Sequence, residues 1–358
     1  MHMAQKKLGF GIIGCGMISE FHINALSALH DKAKLVGITD VNRDSADRVS
    51  AAHGGLFIFD TLDEMLASKE INAVCICTPS GYHADAVVKA AEAGKNVIVE
   101  KPLAITKEQL DSIEEACLRN KTTLAVISQL RFAKDVRKAK LMLENGELGK
   151  LCCADMYMKY FRSQEYYDSG AWRGTKKIDG GGALMNQGIH GVDLLIYLAG
   201  AVRSVYAFAS TLARRIEVED TLCAAIEFES GALGVIQATT SVFPGYPRRI
   251  ELNGSSGSIT IEETAITRMD IDGSVTEDLT FRKPVFSSAS SAANFSGDYH
   301  TLQISDFIDS VREKRRPFVD LSEGRKAVDV ILAIYRSARE GRRVYLEELY
   351  PKPNGNFC

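Results

Sequence analysis

The chain predicts an open, doubly wound parallel α/β sheet in its first third. This is followed by an α+β region built on a large, open, mostly antiparallel sheet. Three observations predict that architecture. Strand and helix patterns alternate without exception up to about residue 130. A glycine turn, Gly14-Cys15-Gly16, follows the first strand pattern and opens a helix. Beyond that half, strand patterns succeed one another, with Ser-Gly, Asn-Gly and Asp-Gly turn signals between them. The change of pattern sets the expected domains at 1–127 and 128–358.

In the first half, the apolar run Leu8 to Ile13 reads as a short buried strand, and a helical pattern continues to about His30. Lys34 to Thr39 is a second strand ending at Asp40, followed by a helix near Arg43–His53 and a short strand at Leu56–Phe59. Thr61 with Glu64 has the spacing of a capping box, and Thr106 with Gln109 repeats it. Between those caps lie a strand at Asn72–Thr78, a helix from Tyr82 to Ala93 stopped by Gly94, and a strand at Asn96–Val99. The second capped helix runs to about Asn120, and Thr123–Ser128 is strand again.

The second half opens with a helix, Asp135–Glu144, and a long alternating strand around Leu151–Phe161. A glycine-led helix runs from Gly180 to Leu198. Strands follow at Val202–Ala213, Thr221–Glu229, Ala232–Thr240, Arg248–Leu252 and Ser258–Glu262. Ser287–Gly297 is small and polar, the composition of a flexible loop. Helices near Tyr299–Glu313 and Leu321–Gly341 close the pattern.

The 358 residues are 46% hydrophobic and 25% charged, ordinary globular values that allow two packed cores. A formal charge of -3 gives no electrostatic reason to expect nucleic acid or an anionic membrane as partner. Leu8–Ile13 is too short for a signal core or a membrane span. Eight cysteines are present without a C-x-x-C pair, and no H-x-x-H occurs, so buried free thiols are expected and no metal. A cytoplasmic enzyme fits all of this.

The glycine turn has a physical reading. Gly14 permits a tight strand-to-helix turn, and Gly16 lets the backbone approach a pyrophosphate without a Cβ in the way. The pyrophosphate would lie on the N–H groups of Met17 and Ile18 at the helix start. Ser19 stands where a third glycine or alanine is usual. Alone, G-x-G-x-x-S is a weak signal. Here it follows a strand, opens a helix and precedes Asp40 by 24 residues from Gly16, a combination that is strong. An acid at that place bonds the ribose hydroxyls and repels a 2′-phosphate, so NAD is favoured over NADP. Arg43 pulls the other way, and a helix-cap role for Asp40 is compatible with either.

Ligands of open α/β sheets bind at the carboxyl ends of the strands. Thr78-Pro79 ends one strand and Glu100-Lys101-Pro102 the next, which brings Lys101 near the nicotinamide by topology. A lysine after a strand is ordinarily a solvated cation. Lying between an acid and a proline at this end of the sheet, Lys101 invites a catalytic reading, and a cis Pro102 would turn it inward. His83, in a first helical turn, and Gln129, after the last strand of this half, are further cofactor candidates.

Four stretches together resemble the glucose-fructose oxidoreductase / inositol dehydrogenase family (Gfo/Idh/MocA): Gly11–Ser19, Cys77–His83, Ala93–Leu103 and Gly180–Asp193. The resemblance covers nearly the whole chain, including the closing 320–336 segment. It implies a Rossmann domain and a second domain whose open sheet makes a homodimer or homotetramer. It also implies NAD(P)-dependent oxidation or reduction of a sugar, cyclitol or nucleotide sugar. Members of the family usually carry Asp-x-Gly-x-His on the later helix, where this chain has Asn186 and His190.

Four residues apart on a helix, Asn186 and His190 share a face, with Asp193 a turn further on. An amide can accept a hydrogen bond but takes no proton at neutral pH. His190 is therefore expected to act as base, with Asp193 placed to orient it and the Lys101 ammonium stabilising the developing alkoxide while hydride leaves for NAD. A core histidine is the bland alternative. Substrate contacts are expected from Arg131, Tyr160, Trp172 and Arg173, besides Asn186 and His190. With Arg162, Lys176 and Lys177, the arginines suggest an anionic uronate or diphosphate, although a solvated basic loop would look the same. His300 is a weaker candidate. Three alternatives share the cofactor site: an NAD-dependent glycoside hydrolase, a sugar–sugar oxidoreductase with retained cofactor, and a non-catalytic nucleotide-binding regulator.

Overall fold

The computed structural model describes residues 6–273, 277–278 and 297–350. In chain order the first elements are β1 (Leu8–Ile13), α1 (Ser19–Ala28), β2 (Ala33–Thr39), α2 (Arg43–Ala52), α3 (Leu62–Ala67) and β3 (Ala73–Ile76). Then come α4 (His83–Glu92), β4 (Asn96–Val99), α5 (Lys107–Asn120), β5 (Leu124–Val126), α6 (Lys134–Glu144), β6 (Leu151–Lys159) and α7 (Gln164–Asp168). A π-helical turn at Ala183–Gly188 leads into α8 (Ile189–Ala199). Strands β7 (Val202–Ser210), β8 (Thr221–Phe228), β9 (Leu233–Thr239), β10 (Arg249–Gly254), β11 (Gly257–Glu262), β12 (Ala265–Ile271) and β13 (Glu277–Asp278) follow. Last are α9 (Gly297–Glu313), α10 (Leu321–Glu340) and β14 (Val344–Tyr345).

Two compact units result: Met1–Gln129 with Phe295–Arg325, and Leu130–Asn294 with Lys326–Cys358. Chain order put α9 in the second domain. It packs instead with the first unit, against α1, where Phe307 meets Phe10 edge-on at 6.2 Å.

The first unit holds a five-stranded parallel sheet in the order β2-β1-β3-β4-β5. In β1 five of six residues are buried, and in β3 all four. Helices cover both faces, so these strands read as continuous apolar runs rather than alternating ones. Side chains start the helices as expected. Thr61 and Thr106 accept from the backbone N–H of Glu64 (3.1 Å) and Gln109 (3.3 Å). The second half of each box is displaced by one residue: Glu64 accepts from the N–H of Asp60 and Gln109 from that of Ile105. Leu56–Phe59 forms only an isolated parallel bridge to β2 through Ile38 and Ile58.

Among the described residues the second unit holds a nine-stranded sheet in the order β13-β12-β11-β10-β6-β9-β8-β7-β14. Its pairs are antiparallel except β6 with β9. Strand β8 alternates strictly in burial, one face covered and the other exposed. Strands β12, β13 and β14 and helix α7 were not read from the sequence. The thiols divide: Cys15, Cys75, Cys77 and Cys117 are buried, but Cys152, Cys153 and Cys223 are exposed, against expectation. A register shift opposite Asn253–Gly254 skips Cys152, so the adjacent Cys152 and Cys153 do not alternate. The Ser287–Gly297 loop reading lies outside the described residues apart from Gly297, which opens α9. No helix among the described residues is long and apolar enough to cross a membrane.

Candidate active site

At the sheet end of the first unit the glycine turn is built as its chemistry requires. Gly14 has φ +95°, and a Cβ there would lie 2.8–2.9 Å from the backbone of Cys77 and Thr78. A Cβ on Gly16 would meet nothing within 4 Å, so the space beside it is open. Ser19 is fully buried, and its hydroxyl donates to the Gly16 carbonyl at 2.6 Å. Met17 is exposed and Ile18 half-buried at the start of α1.

Asp40 closes β2 with its carboxylate fixed by backbone donors, Cys15 N–H at 2.6 Å and Asn42 N–H at 2.7 Å. Arg43, the residue able to favour a 2′-phosphate, is engaged by Asp47 at 3.0 Å and Asp60 at 2.8 Å. Among the buried polar atoms without a hydrogen-bond partner in the described structure are Thr78 Oγ1, next to Pro79 after β3, and Gln129 Oε1 after β5. Open space at Gly16, an anchored acid and two unpartnered polar atoms at strand ends fit a dinucleotide such as NAD.

The Glu100-Lys101-Pro102 turn follows β4, with a cis Lys101–Pro102 peptide. Three buried histidines surround it. His22 Nε2 lies 2.9 Å from Glu100 Oε1, and His300 Nε2 lies 3.5 Å from the same oxygen. Burial by itself would raise the Glu100 pKa, but His22 and His300 hold it well below the usual carboxylate range. Burial lowers that of His22. The Lys101 N–H faces Glu100 Oε2 at 3.3 Å.

His83, read from sequence as a cofactor contact, takes another part. Its Nδ1 is 2.7 Å from the Pro102 carbonyl and its Nε2 2.8 Å from the Thr78 carbonyl, with 1% of the residue exposed. Both ring nitrogens face main-chain carbonyls, and the one that carries the proton donates, so His83 lies packed between two strand-end loops. His300 likewise sits inside the first unit at 1% exposure.

The second unit carries Asn186 and His190, both half-buried. Asn186 lies in the π-helical turn and His190 in the first turn of α8, so the two do not share one regular α-helix. The Gly180–Gly182 run is explained by crowding. A Cβ on Gly181 would reach 2.3 Å from the Tyr335 hydroxyl, and one on Gly182 would reach 1.7 Å from the Glu219 carbonyl. Glu219 then accepts from the N–H groups of Gly182 (2.9 Å) and Leu184 (3.0 Å) and from Tyr335 OH (2.8 Å).

Asp179 was missed. It is 2% exposed, accepts from the Asn186 amide at 2.9 Å and from the Gly174 N–H at 2.8 Å, and ties both segments together. Seven residues before Asn186, on a loop, it carried no periodic signal.

Three expectations need correction. Arg131 is 1% exposed, and its Nε and Nη2 donate to Asp193 at 2.9 and 2.7 Å. It is therefore a core ion pair and presents no surface to a substrate. Asp193, expected to orient His190, holds Arg131 instead. Tyr160 donates its hydroxyl to Glu263 at 2.8 Å, and burial pushes its pKa up. Trp172 and Arg173 do come together: the Arg173 guanidinium lies 4.5 Å from the Trp172 ring and 4.3 Å from that of Tyr166.

Residues 8–128 match the oxidoreductase family with an NAD-binding Rossmann fold, and residues 136–260 match the GFO/IDH/MocA C-terminal domain. The crystal structure of the WlbA dehydrogenase from Bordetella pertussis, in complex with NADH and UDP-GlcNAcA, is 35% identical to this chain. That similarity covers 96% of this chain and 99% of that one, with a TM-score of 0.86. Myo-inositol 2-dehydrogenase of Thermotoga maritima is 28% identical over 358 residues, 95% of this chain and 98% of its own. D-glucoside 3-dehydrogenase of Escherichia coli is 25% identical across 96% of this chain and 99% of its own. With the glycine turn and Asp40 in the first unit and the open sheet in the second, the chain belongs to the Gfo/Idh/MocA family of NAD-binding oxidoreductases.

Proposed function

We propose that the protein oxidises a secondary hydroxyl of a nucleotide-linked sugar bearing a carboxylate, with NAD as coenzyme. The observation that carries this reading is Arg173. It is half-buried, lies over the rings of Tyr166 and Trp172, and has no ion-pair partner among the described residues. A guanidinium so pre-oriented matches the fork of a carboxylate or phosphate. The relative solved with NADH and UDP-GlcNAcA supports the same substrate class.

In this reading bound NAD supplies the hydride acceptor. His190 takes the hydroxyl proton, and the Lys101 ammonium stabilises the developing alkoxide and then the ketone oxygen. Asn186, fixed by Asp179, orients the sugar. Through the Gly174 N–H, the same Asp179 sets the position of the loop bearing Arg173. The reverse reaction uses the same groups.

The test follows reduced nicotinamide absorbance with UDP-linked N-acetylglucosaminuronate, UDP-N-acetylglucosamine, myo-inositol and glucose. Turnover should be confined to, or strongly favour, the uronate. Arg173→Met should raise its KM on the order of 10-fold or more, the loss of a charge-assisted hydrogen-bond pair. Preferred turnover of myo-inositol or glucose would overturn the reading. Reduced cofactor retained by the protein without net turnover would point to a closed hydride cycle instead.

We further propose a homo-oligomer formed through the exposed face of the second sheet. Tyr206 and Phe208 on β7, with Leu233 and Val235 on β9, are exposed. An apolar strip of this kind on an open sheet suits a second copy of the chain.

A further inference from the structure

We propose that His22 is a positioning residue for Lys101, acting through the side chain of Glu100. The proposal builds on the role given above to Lys101. His22 is fully buried on α1, the helix that opens at the glycine turn, and among the described residues its polar partner is Glu100 Oε1 at 2.9 Å. Burial disfavours the imidazolium of His22, and the neutral Nε2–H tautomer donates to the Glu100 carboxylate. The other carboxylate oxygen faces the Lys101 N–H at 3.3 Å. One side chain thus reaches from α1 to the main chain from which Lys101 projects.

The turn is held from its other side as well. His83 on α4 lies between the carbonyl of Pro102, directly after Lys101, at 2.7 Å and that of Thr78 at 2.8 Å. His300 on α9 lies 3.5 Å from the Glu100 oxygen that His22 holds, its ring 5.6 Å from the ring of His22 and 5.3 Å from that of Phe21. Lys101 is therefore flanked by two residues whose polar groups are fixed by buried histidines on separate helices.

A charged carboxylate in the core of a doubly wound sheet has a high desolvation cost, and well-packed apolar residues commonly serve stability as well or better. A stability role alone gives no reason for a carboxylate here. A need to hold the Lys101 backbone to within a fraction of an ångström does, since misplacement by about 1 Å can cost on the order of 100-fold in rate. The three side chains, His22, Glu100 and His300, also have ligand atoms within 4.8 Å of one another, a spacing a metal ion would accept. The direct His22–Glu100 hydrogen bond satisfies the pair without one.

The experiment compares wild type, Lys101→Met, His22→Leu, His22→Gln and Glu100→Gln in steady-state turnover with the best substrate of the panel above. NADH binding by fluorescence titration and metal content by mass spectrometry are measured alongside. His22→Leu should lower kcat on the order of 10- to 100-fold, with KM and NADH affinity changed by no more than about 2-fold. His22→Gln, whose amide reaches the same point, should recover most of kcat. Glu100→Gln guards against a His22→Leu protein that does not fold: it keeps the shape and should still lower kcat. Wild-type kcat per NADH-binding site in both His22→Leu and Glu100→Gln, with Lys101→Met inactive, would overturn the positioning role while leaving Lys101 its own. An active Lys101→Met would instead remove the reading of Lys101. Stoichiometric metal lost on His22→Leu would overturn the proposal by making the cluster a metal centre.

Discussion

His83 and Arg131 show how much a single residue's meaning depends on what surrounds it. In the sequence His83 reads as a cofactor contact from its place in a first helical turn, and Arg131 as a substrate contact because it follows the last strand of the first half. Each is buried and held by the protein itself, His83 between two carbonyls and Arg131 by Asp193. Residue chemistry alone does not say whether a donor faces a ligand or a neighbour. The buried histidines also set an acid limit on stability. Burial lowers the pKa of His22 and His83 below the ordinary 6.5, while His22 and His300 lower that of Glu100. All three groups hold a proton less readily when folded, so the unfolded chain takes up more protons on acidification. The stability they contribute is present above pH 6.5 and lost as pH falls, first through the histidines and then below about 4.5 through Glu100. Urea unfolding should therefore give a smaller free energy at about pH 5.5 than at pH 7.5. A rise in stability over that interval would mean that His83 is held as an imidazolium between its two carbonyls.

At the scale of elements, the strand-turn-helix from β1 to α1 is the part where local rules and the fold agree most closely. Gly14 and Gly16 differ in kind, and the difference is testable. Gly14→Ala places a Cβ against the backbone of Cys77 and Thr78 at a positive φ, which should lower stability by about 1–3 kcal/mol and weaken NADH binding. Gly16→Ala enters open space, so thermal stability should hardly change while NADH binding weakens at least as much. Thermal melts and fluorescence titrations check both. Equal loss of stability in the two variants would mean that Gly16 is as crowded as Gly14. The π-helical turn before α8 is the contrasting case. Periodicity in the sequence predicted one helix from Gly180 to Leu198. The close approach of Gly181 and Gly182 to Tyr335 and Glu219, together with the Asp179 bond to Asn186, replaced its first turns by a wider coil.

Over the whole molecule the two sheets obey different rules of burial, and that separates their tasks. The parallel sheet is covered on both faces and offers ligands only its strand ends. The nine-stranded sheet keeps one face exposed, with Phe208 at 68% and Leu233 at 59%. If a second copy covers that face, wild type should run as a dimer or tetramer in size-exclusion chromatography with light scattering. Phe208→Glu should shift it towards monomer, because a buried unpaired charge is costly in any interface. A monomeric wild type at all concentrations would end the proposal.

The sequence by itself determined the alternation of strand and helix, the caps at Thr61 and Thr106, the glycine turn with Asp40 and the position of Lys101 at a strand end. Each of these depends on local spacing: a pattern of two or 3.6 residues, or a glycine where the backbone needs one. Tertiary structure alone decided that α9 belongs with the first unit, that His22 and His300 enclose Glu100, and that Asp179 holds Asn186. It also decided that Arg131 pairs with Asp193 and that β12, β13 and β14 extend the second sheet. These depend on contacts between residues up to some 278 positions apart, as His22 and His300 are, and such contacts are set by packing and leave no period in the chain.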